Sequence, residues 1–440
     1  MDEKFDCIIV GGGIAGLSAA VELARGGARF LLVERGEFAG SKNVSGGVLW
    51  GHDLARLVPE YWTEEDGFER YIRHRRLTLM DEQSAFSIDF KSTHFDTPPY
   101  AGVVVLRSRF DRWLAAKLEE TIARSPHPDE SFVATNILVE EIVRENGRVT
   151  GIRAGDEVFH ADVVILAEGV NNLLTRQIGL QDDYVPADHM MIGIKEVIRM
   201  NRRTLEDRFQ LNGLAGMSNE FVGFCSRGVE GGGFLYTNRD SLSVGLVLGI
   251  KDLREKRLQP HAILNDFKLH PVIADMLRDG EEVEYSAHVV SSGDMRVMPR
   301  EIYADGVLIA GEAANLLINA GKAIQGMDYA MRSGILAAET VLAARDRGDF
   351  SAESLAQYRR ALEESFLLKD MHNFQDAVRL LHDPNMYTTI PSLICDFGRR
   401  IFTVRSAPTQ KTKQVLKETI KDHTSFWSLA KFGYKASRSL

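Results

Sequence analysis

Cysteine is scarce in this sequence of 440 residues, where only Cys7, Cys225 and Cys395 occur, far apart from one another. No CxxC pair is present, so the sequence excludes a disulfide framework, a zinc ribbon and an iron–sulfur cluster held by cysteines of this chain. The 12 histidines are scattered without metal-ligand spacing. Single thiols of this kind are typical of buried residues in a reducing compartment. We therefore expect a cytoplasmic protein without a metal centre.

Long apolar runs are also lacking, and none approaches the roughly 20 residues that a helix needs to cross a bilayer. The opening residues, MDEKFD, are acidic and contain no apolar core, which argues against a signal peptide. The net charge of −9 argues against a general nucleic-acid binder. We expect that any contact with a membrane takes place at its surface.

Acidic residues are rare in residues 399–440, here called the basic tail, which contain ten basic and two acidic residues and carry a net charge of about +8. Phe426, Trp427, Phe432 and Tyr434 lie among these lysines and arginines, as in an interfacial membrane segment. Two interpretations stay open. The basic tail either docks on an anionic surface, a lipid leaflet or an acidic partner, or forms an ordinary solvated surface helix.

A glycine motif follows the first predicted strand, FDCIIV. Gly11, Gly13 and Gly16 form a GxGxxG at the junction with a predicted helix, where glycine permits a tight turn, close approach of a pyrophosphate and close helix–strand packing. Glu34 ends the next predicted strand, 18 residues after Gly16. An acid at this place accepts hydrogen bonds from ribose hydroxyls. The motif therefore predicts an adenine dinucleotide, which is either NAD or FAD.

Further segments favour FAD. The loop GSKNVSGG follows the second predicted strand and contains few bulky side chains, so that a ligand can approach its backbone. Later come VLRSRFDRWLAAKL, which places Arg107 just before a predicted helix, a strand ending in AEG near residue 168, and the segment GVLIAGEAANLLINAGKAIQGMD near residue 320. Only one GxGxxG is present, so a second dinucleotide domain for NAD(P)H is not evident. The lack of CxxC on the first helix excludes a disulfide reductase.

With these segments the chain resembles FAD-dependent oxidoreductases of the glutathione-reductase-like superfamily and, more narrowly, the FixC branch of electron transfer flavoprotein–quinone oxidoreductases. The resemblance extends over nearly the full length and is most specific in GSKNVSGG and LLINAGKAIQGMDYAMRSG. It implies FAD as the cofactor and assigns residues to its parts. These are Gly11, Gly13, Ile14, Ala15 and Gly16 at the pyrophosphate; Glu34 and Arg35 at the adenosine ribose; Lys42, Asn43, Ser45, Gly46 and Gly47 along the ribitol and ring; Arg107 at a phosphate; Ile137 at the adenine; Ala167 and Gly169 beside the cofactor; Gly311, in the turn before Glu312, and Glu312 at the ribitol; and Gly321, Lys322, Ala323, Ile324 and Gln325 at the pyrimidine edge of the flavin.

Glu312 departs from the superfamily, which usually has aspartate at this position, and its carboxylate lies one methylene further out. Arg107 has an alternative interpretation as a surface residue that begins a helix. The helix predicted to begin near Gln325 would direct its positive end at the flavin and, with Lys322, favour negative charge on the reduced ring. We predict no catalytic residue, because the cofactor carries the redox chemistry.

The order of predicted elements gives an α/β fold class, with a Rossmann-like FAD-binding domain, an inserted β-rich substrate or quinone domain and a helical C-terminal region. Breaks in the C-terminal helices are predicted at Pro384, Pro391 and Pro408. The predicted domains are residues 1–180 for the first part of the FAD-binding domain, with a β excursion near 70–105; 181–285 for the inserted domain; 286–345 for the second part of the FAD-binding domain; and 346–440 for the helical cap with its basic tail.

The resemblance implies an electron-transfer oxidoreductase that accepts electrons from a two-subunit electron transfer flavoprotein and passes them towards quinone. Full-length relatives carry a ferredoxin-like part with a [4Fe–4S] cluster, for which this chain lacks the cysteines. FixC proteins share that lack, and the cluster sits on a small separate ferredoxin-like subunit. Some members take part in flavin-based electron bifurcation, and the sequence leaves that role open. The implied location is cytoplasmic, at the membrane face if the basic tail docks there.

Three alternatives stay open. The first is a prenyl reductase resembling geranylgeranyl reductases, and the second is an aromatic monooxygenase. The third is a flavin relay subunit that has no independent activity outside an assembled complex.

Overall fold

Two large sheets, each assembled from separate stretches of chain, form the framework of the protein. The computed structural model describes residues 4–42, 46–64, 66–182, 184–321 and 324–439. The strands and helices of residues 4–177 are β1 (Lys4–Val10), α1 (Ile14–Arg25), β2 (Phe30–Val33), β3 (Gly46–Trp50), α2 (Asp53–Leu57), β4 (Arg70–Met80), β5 (Ala85–Lys91), β6 (Gly102–Leu106), α3 (Arg107–Ile122), β7 (Phe132–Ala134), β8 (Glu141–Glu145), β9 (Arg148–Ala154), β10 (Glu157–Leu166) and α4 (Leu173–Gln177).

The rest of the chain adds further strands and a run of C-terminal helices. Residues 190–347 contain β11 (Met190–Arg199), α5 (Arg202–Phe209), β12 (Ala215–Gly223), β13 (Gly231–Thr237), β14 (Ser241–Gly249), α6 (Ile250–Lys256), α7 (Pro260–Leu269), α8 (Pro271–Leu277), β15 (Glu281–Ser291), β16 (Tyr303–Ala304), β17 (Val307–Ile309), β18 (Ile318–Asn319), β19 (Ile324–Gln325) and α9 (Met327–Arg347). The remaining helices are α10 (Ala352–Leu355), α11 (Gln357–Glu364), α12 (Phe366–Asn373), α13 (Ala377–Leu381), α14 (Thr389–Phe402), α15 (Thr412–His423) and α16 (Phe426–Ser439).

The first sheet has a parallel centre in the order β17-β10-β1-β2-β7, with β16 and the β8–β9 hairpin added antiparallel. β1 and β2 are apolar almost throughout because parallel strands are covered on both faces. Val10 is in register with Val33 on one side and with Leu166 on the other, and Leu166 is in register with Ile309. The loops that follow these four strands therefore leave the sheet along one edge.

Helices α1 and α9 pack side by side at unusually short range. A Cβ added at Gly334 would lie 2.1 Å from the carbonyl oxygen of Ala15, so only glycine fits between the two backbones. Further along, the Arg345 guanidinium donates hydrogen bonds to the carbonyls of Gly26 and Gly27, at 2.9 and 2.8 Å. Ala15, near the start of α1, thus contacts the first half of α9, and Gly26 and Gly27, just after α1, contact the end of α9. The two helices therefore run in the same direction. Their N-termini consequently lie at the same end of the molecule.

The second sheet has the order β15-β11-β14-β13-β12-β4-β6-β3, with β5 paired to β4. The predicted β excursion near 70–105 belongs to it, because β4 pairs in parallel with β12. The fully buried Arg70 secures this joint by donating hydrogen bonds to the carbonyls of Gly213, at 2.9 Å, and Asn238, at 2.6 Å. One face of the sheet packs on an apolar core that includes Phe221 and Phe267.

The C-terminal region is helical, as predicted, but the predicted break at Pro391 is wrong. Pro391 lies in the first turn of α14, where the backbone N–H that proline lacks has no partner within the helix. Pro384 begins a short 3₁₀ turn between α13 and α14, and Pro408 lies between α14 and α15. Within the described ranges no helix is long and apolar enough to cross a membrane. The predicted fold class is confirmed, and the exact division into domains stays a prediction.

We expect Gly334→Ala to destabilise the protein although alanine normally favours a helix. The added methyl would push Ala15 and α1 away and lower the free energy of unfolding by about 1–3 kcal/mol. The measurement is the urea midpoint followed by circular dichroism. Gly433→Ala, in α16, is the matched control because an added Cβ there meets open space. Equal midpoints for the two variants would contradict the packing argument.

Candidate functional site

A cavity with a volume of about 780 Å³ lies between the strand-end edge of the first sheet and one face of the second sheet. Its walls include the loops after β1, β2 and β10, the first turns of α1 and α9, and side chains from β11 to β15. Ligands of open α/β sheets bind in this place, outside the carboxyl ends of parallel strands. The in-register ends of β1, β2, β10 and β17 therefore position the site.

The turn after β1 is shaped for close contact with backbone on one side and with a ligand on the other. Gly11 has φ +111°, and a Cβ there would lie 2.3 Å from the carbonyl oxygen of Ala167. Gly13 and Gly326 occupy the N-cap positions of α1 and α9 and both line the cavity. Since glycine has no side chain to cap a helix, the positive N-terminal ends of both helices lie at the cavity without an N-cap side chain, which suits an anion.

Glu34 stands at the end of β2, and two backbone groups fix its carboxylate. The Gly12 N–H donates to Oε2 at 2.8 Å, and the Gly36 N–H donates to Oε1 at 2.6 Å. Glu34 thereby joins the glycine turn to the loop after β2 and forms part of the cavity wall. Arg35 lines the cavity beside it.

Arg107 begins α3 and forms a buried ion pair with Asp111 one turn later. Its Nε and one terminal nitrogen each approach a carboxylate oxygen of Asp111 to 2.8 Å, which fixes the guanidinium at the cavity wall. Glu312 reaches the same wall and accepts a hydrogen bond from the Ser291 N–H at 3.3 Å. Burial raises the pKa of Glu312 to about 7, although the Ser291 N–H and the charge of Arg107 oppose this rise.

The structure brings most of the predicted cofactor residues together around the cavity. Gly16 and Gly311 lie behind the lining, where Gly16 packs on the Gly11 carbonyl and Gly311 on the Ala15 side chain. Gln325 pairs with Ile318 instead of lining the cavity. Asn43, Ser45, Lys322 and Ala323 are outside the described residues. The predicted residues that line the cavity are Gly11, Gly13, Ile14, Ala15, Glu34, Arg35, Lys42, Gly46, Gly47, Arg107, Ile137, Ala167, Gly169, Glu312, Gly321 and Ile324.

Polar side chains of the second sheet also face the cavity, and the sequence analysis did not predict them as site residues. Lys195 is buried 3.1 Å from Glu284, and burial lowers its pKa. Burial raises the pKa of Glu220, which accepts a hydrogen bond from a serine hydroxyl. Burial, followed by the charge of Arg107, lowers the pKa of His288. The sequence does contain one indication of these residues, because a lysine occurs within the largely apolar strand MMIGIKEVI. The strand pattern alone, however, does not indicate which face of the sheet meets a ligand.

Curated relatives match almost the whole chain. It is 40% identical over 418 residues to the probable electron transfer flavoprotein-quinone oxidoreductase YdiS of Escherichia coli strain K12, covering 94% of each chain. It is 41% identical over 435 residues to protein FixC of the same organism, covering 99% of this chain and 98% of that protein. The chain belongs to the FixC family of electron transfer flavoprotein–quinone oxidoreductases. It is an FAD-dependent oxidoreductase.

Family descriptions assign three parts of this FixC family member. Residues 6–127 match "FAD dependent oxidoreductase", residues 190–290 match "ETF-QO, ubiquinone-binding", and residues 377–440 match "ETF-QO/FixC family C-terminal domain". The second segment spans β11 to β15, whose side chains line the cavity.

Solved structures share the fold at low sequence identity. A geranylgeranyl bacteriochlorophyll reductase-like protein of Thermoplasma acidophilum has a TM-score of 0.72 and 19% identity, covering 98% of this chain and 99% of that one. The myxobacterial chondrochloren halogenase CndH has a TM-score of 0.68 and 18% identity, covering 96% and 91%. At these identities the likeness extends to the fold of the FixC family member and not to its substrate.

The cavity fits the chemistry of FAD. Two helix starts without side-chain caps suit the pyrophosphate, and the fixed carboxylate of Glu34 suits a ribose diol. The assignment of individual residues to parts of FAD stays a prediction.

Glu312 predicts a pH dependence in the flavin-free protein. Its folded-state pKa lies above its unfolded value, so the folded state resists ionisation. Stability is therefore lost as pH rises from about 4.5 to about 7, by about 3 kcal/mol. We expect Glu312→Gln to remove this loss, so that the variant is more stable than the unmodified protein at pH 8 and similar to it near pH 5.

The measurement is the urea midpoint at both pH values. The exposed Glu157 provides the control variant Glu157→Gln, which should follow the unmodified protein. A Glu312→Gln variant whose midpoint falls with pH as steeply as the unmodified protein would exclude Glu312 as the cause.

Proposed function

We propose that this protein accepts electrons from an electron transfer flavoprotein through its FAD and passes them to a quinone. One observation carries the proposal. A single cavity is bounded by the strand-end edge suited to FAD and by the sheet face of residues 190–290, the segment that matches the ubiquinone-binding description. A flavin and a quinone in one cavity would lie close enough for direct electron transfer.

The proposed FAD contacts follow the cavity wall. The first turn of α1 would hold the pyrophosphate, Glu34 the adenosine ribose, and Arg107 a phosphate. Glu312 would hydrogen-bond the ribitol, and the segment around Gly321 and Ile324 would border the pyrimidine edge. When bound, FAD supplies the ability to take up electrons from one protein and release them to another acceptor. The chain's contribution is to orient the cofactor, to neutralise its phosphates and to exclude water.

The proposed quinone site is the cavity face of the second sheet. The rings of Phe234 and Tyr236 stack at 5.0 Å, and Arg75 lies 4.4 Å from the centre of the Trp50 ring. Phe234, Tyr236 and Trp50 all line the cavity. An aromatic wall with a few buried polar groups, including Lys195, suits a flat ring that carries carbonyl oxygens.

The proposed partners are a two-subunit electron transfer flavoprotein and a small ferredoxin-like subunit with a [4Fe–4S] cluster. The scarcity of cysteine supports a separate cluster subunit, since Cys7, Cys225 and Cys395 are buried at different places. The FixC description of residues 377–440 supports assembly of the FixC type, in which a bifurcating complex is one form. Membership of the glutathione-reductase-like superfamily is part of the same proposal.

We further propose that the basic tail holds the protein at the cytoplasmic face of the membrane. In α16 the residues Phe426, Trp427 and Tyr434 are 67%, 81% and 66% exposed. Trp427, Lys431 and Tyr434 follow one another at helical spacing, so aromatic and basic groups share a face. Such a face suits the boundary between anionic headgroups and acyl chains.

The main test uses the purified holoprotein under anaerobic conditions. We expect visible flavin absorption bands that bleach with reduced electron transfer flavoprotein and return when a short-chain quinone is added. Flavin that the donor fails to reduce, or that quinone fails to reoxidise, would contradict the proposal. Reduction of isoprenoid double bonds instead of quinone would favour the prenyl-reductase alternative.

A pair of glycine variants tests whether FAD binds against the turn after β1. We expect Gly11→Ala to lose FAD, because its methyl would collide with the Ala167 carbonyl. Gly147→Ala should retain FAD, since Gly147 also has positive φ but an added Cβ meets nothing within 4 Å. Loss of FAD in both variants would mean that the effect is one of general folding.

The tail proposal predicts binding to vesicles that contain anionic phospholipid, with a blue shift of tryptophan fluorescence. Replacing Trp427 by alanine and Lys431 by glutamine should weaken this binding about tenfold or more, because burial of the aromatic ring and attraction to anionic lipid each contribute of order 1 kcal/mol or more. Cosedimentation measures the binding, and neutral vesicles give the comparison. Equal binding of the variant and the unmodified protein would contradict the proposal.

A further inference from the structure

A surface pocket with a volume of about 370 Å³ adjoins the main cavity and shares two of its wall residues. Glu230 and Tyr387 line both spaces, whereas His382 lines only the surface pocket. The wall between solvent and the main cavity is therefore one layer of side chains thick at this place. Of the two shared residues, only Glu230 carries a carboxylate.

Glu230 and His382 form a hydrogen-bonded pair across this wall. His382 Nδ1 lies 2.7 Å from Glu230 Oε2. The His382 side chain is 32% exposed and that of Glu230 is 14% exposed, so histidine is the outer and glutamate the inner member. The Tyr387 hydroxyl donates a hydrogen bond to the carbonyl of Leu381 at 2.7 Å. The hydroxyl is therefore occupied, and the pair of Glu230 and His382 provides the polar link through the wall.

The backbone of Glu230 is fixed on both sides. Its N–H donates to Asp252 Oδ2 at 3.0 Å, and its carbonyl accepts a hydrogen bond from the Gly249 N–H at 2.8 Å. The carboxylate can rotate about its own side-chain bonds while the backbone stays in place. A rotation of this kind would carry Oε2 from His382 towards the main cavity.

Charged groups around the pair favour a proton on His382. The hydrogen bond to Glu230 raises the pKa of His382 above its ordinary value although burial lowers it, and Asp188 and Asp294 act in the same direction as Glu230. Lys256 is paired with Asp252 at 2.8 Å. The titratable and charged residues that face the surface pocket are Asp188, Glu230, Lys251, Asp252, Glu255, Lys256, His382 and Tyr387.

We propose that His382 and Glu230 form the route by which protons enter the main cavity while a quinone is reduced there. The inference rests on the proposed function, because reduction of a quinone to a quinol takes up two electrons and two protons. The electrons come from the reduced donor through the flavin. Each proton moves from protonated His382 to the Glu230 carboxylate, which rotates and releases it into the main cavity, where the quinone oxygen takes it up. His382 then takes up another proton from solvent in the surface pocket.

The experiment compares two acceptors with the holoprotein. A short-chain quinone takes up protons, whereas ferricenium accepts one electron and no proton. We expect His382→Gln and Glu230→Gln to lower kcat for quinone by about a hundredfold, with little change in KM, and to leave ferricenium reduction unchanged. Glu230→Asp should retain part of the quinone activity, and imidazole should partly restore a His382→Ala variant. His261→Gln, at an exposed histidine of α7, is the matched control.

The pH profile supplies a second measurement that a structural role would not change. In the unmodified protein, kcat for quinone should fall as pH rises through the pKa of His382, because the imidazolium is the proton donor. That inflection should be absent from His382→Gln. Unchanged quinone reduction in both variants, or an equal fall with quinone and ferricenium, would overturn the proton route. Failure of the unmodified protein to reduce quinone would instead overturn the proposed function, and the route with it.

Discussion

The close contact between α1 and α9 is the constraint on which the rest of the site depends. Since Gly334 has no side chain, the backbone of α9 can lie against the Ala15 carbonyl, and the two helices run in parallel. Their N-termini then converge on the edge where β1, β2, β10 and β17 end in register. The partial positive charges of two helix N-termini thus meet at one place, which favours an anionic cofactor.

The local parts of this arrangement could be predicted from the sequence. Gly11, Gly13 and Glu34 lie within one βαβ unit, and each has a backbone reason for its residue type. The parallel pairing of β4 with β12 joins residues far apart in the chain, and no local pattern specifies it. Lys195 and His288 were missed for another reason, because the pattern of β11 or β15 alone does not indicate which face of the sheet meets a ligand.

Several of these cavity residues are arranged at a cost to stability. Lys195, Glu220 and Glu312 are ionisable groups placed where burial opposes their charge. Each has a partner that offsets part of the cost: Glu284, a serine hydroxyl and the Ser291 N–H. Ionisable groups whose charge is opposed by burial suit a cavity that binds a ligand whose charge changes during the reaction. Such buried ionisable residues are also the positions where a prediction from the hydrophobic pattern of the sequence is expected to fail.

The joint between β4 and β12 has a consequence for synthesis of the chain. Tyr71 and its partner Ala215 are 144 positions apart, so at roughly 5–20 residues per second the ribosome needs on the order of ten seconds to supply the second strand. During that time β5 and β6 can pair with β4 along one side. The other side stays an open strand edge, and open edges recruit foreign strands. The nascent protein therefore depends on protection of this edge until the middle of the chain has emerged.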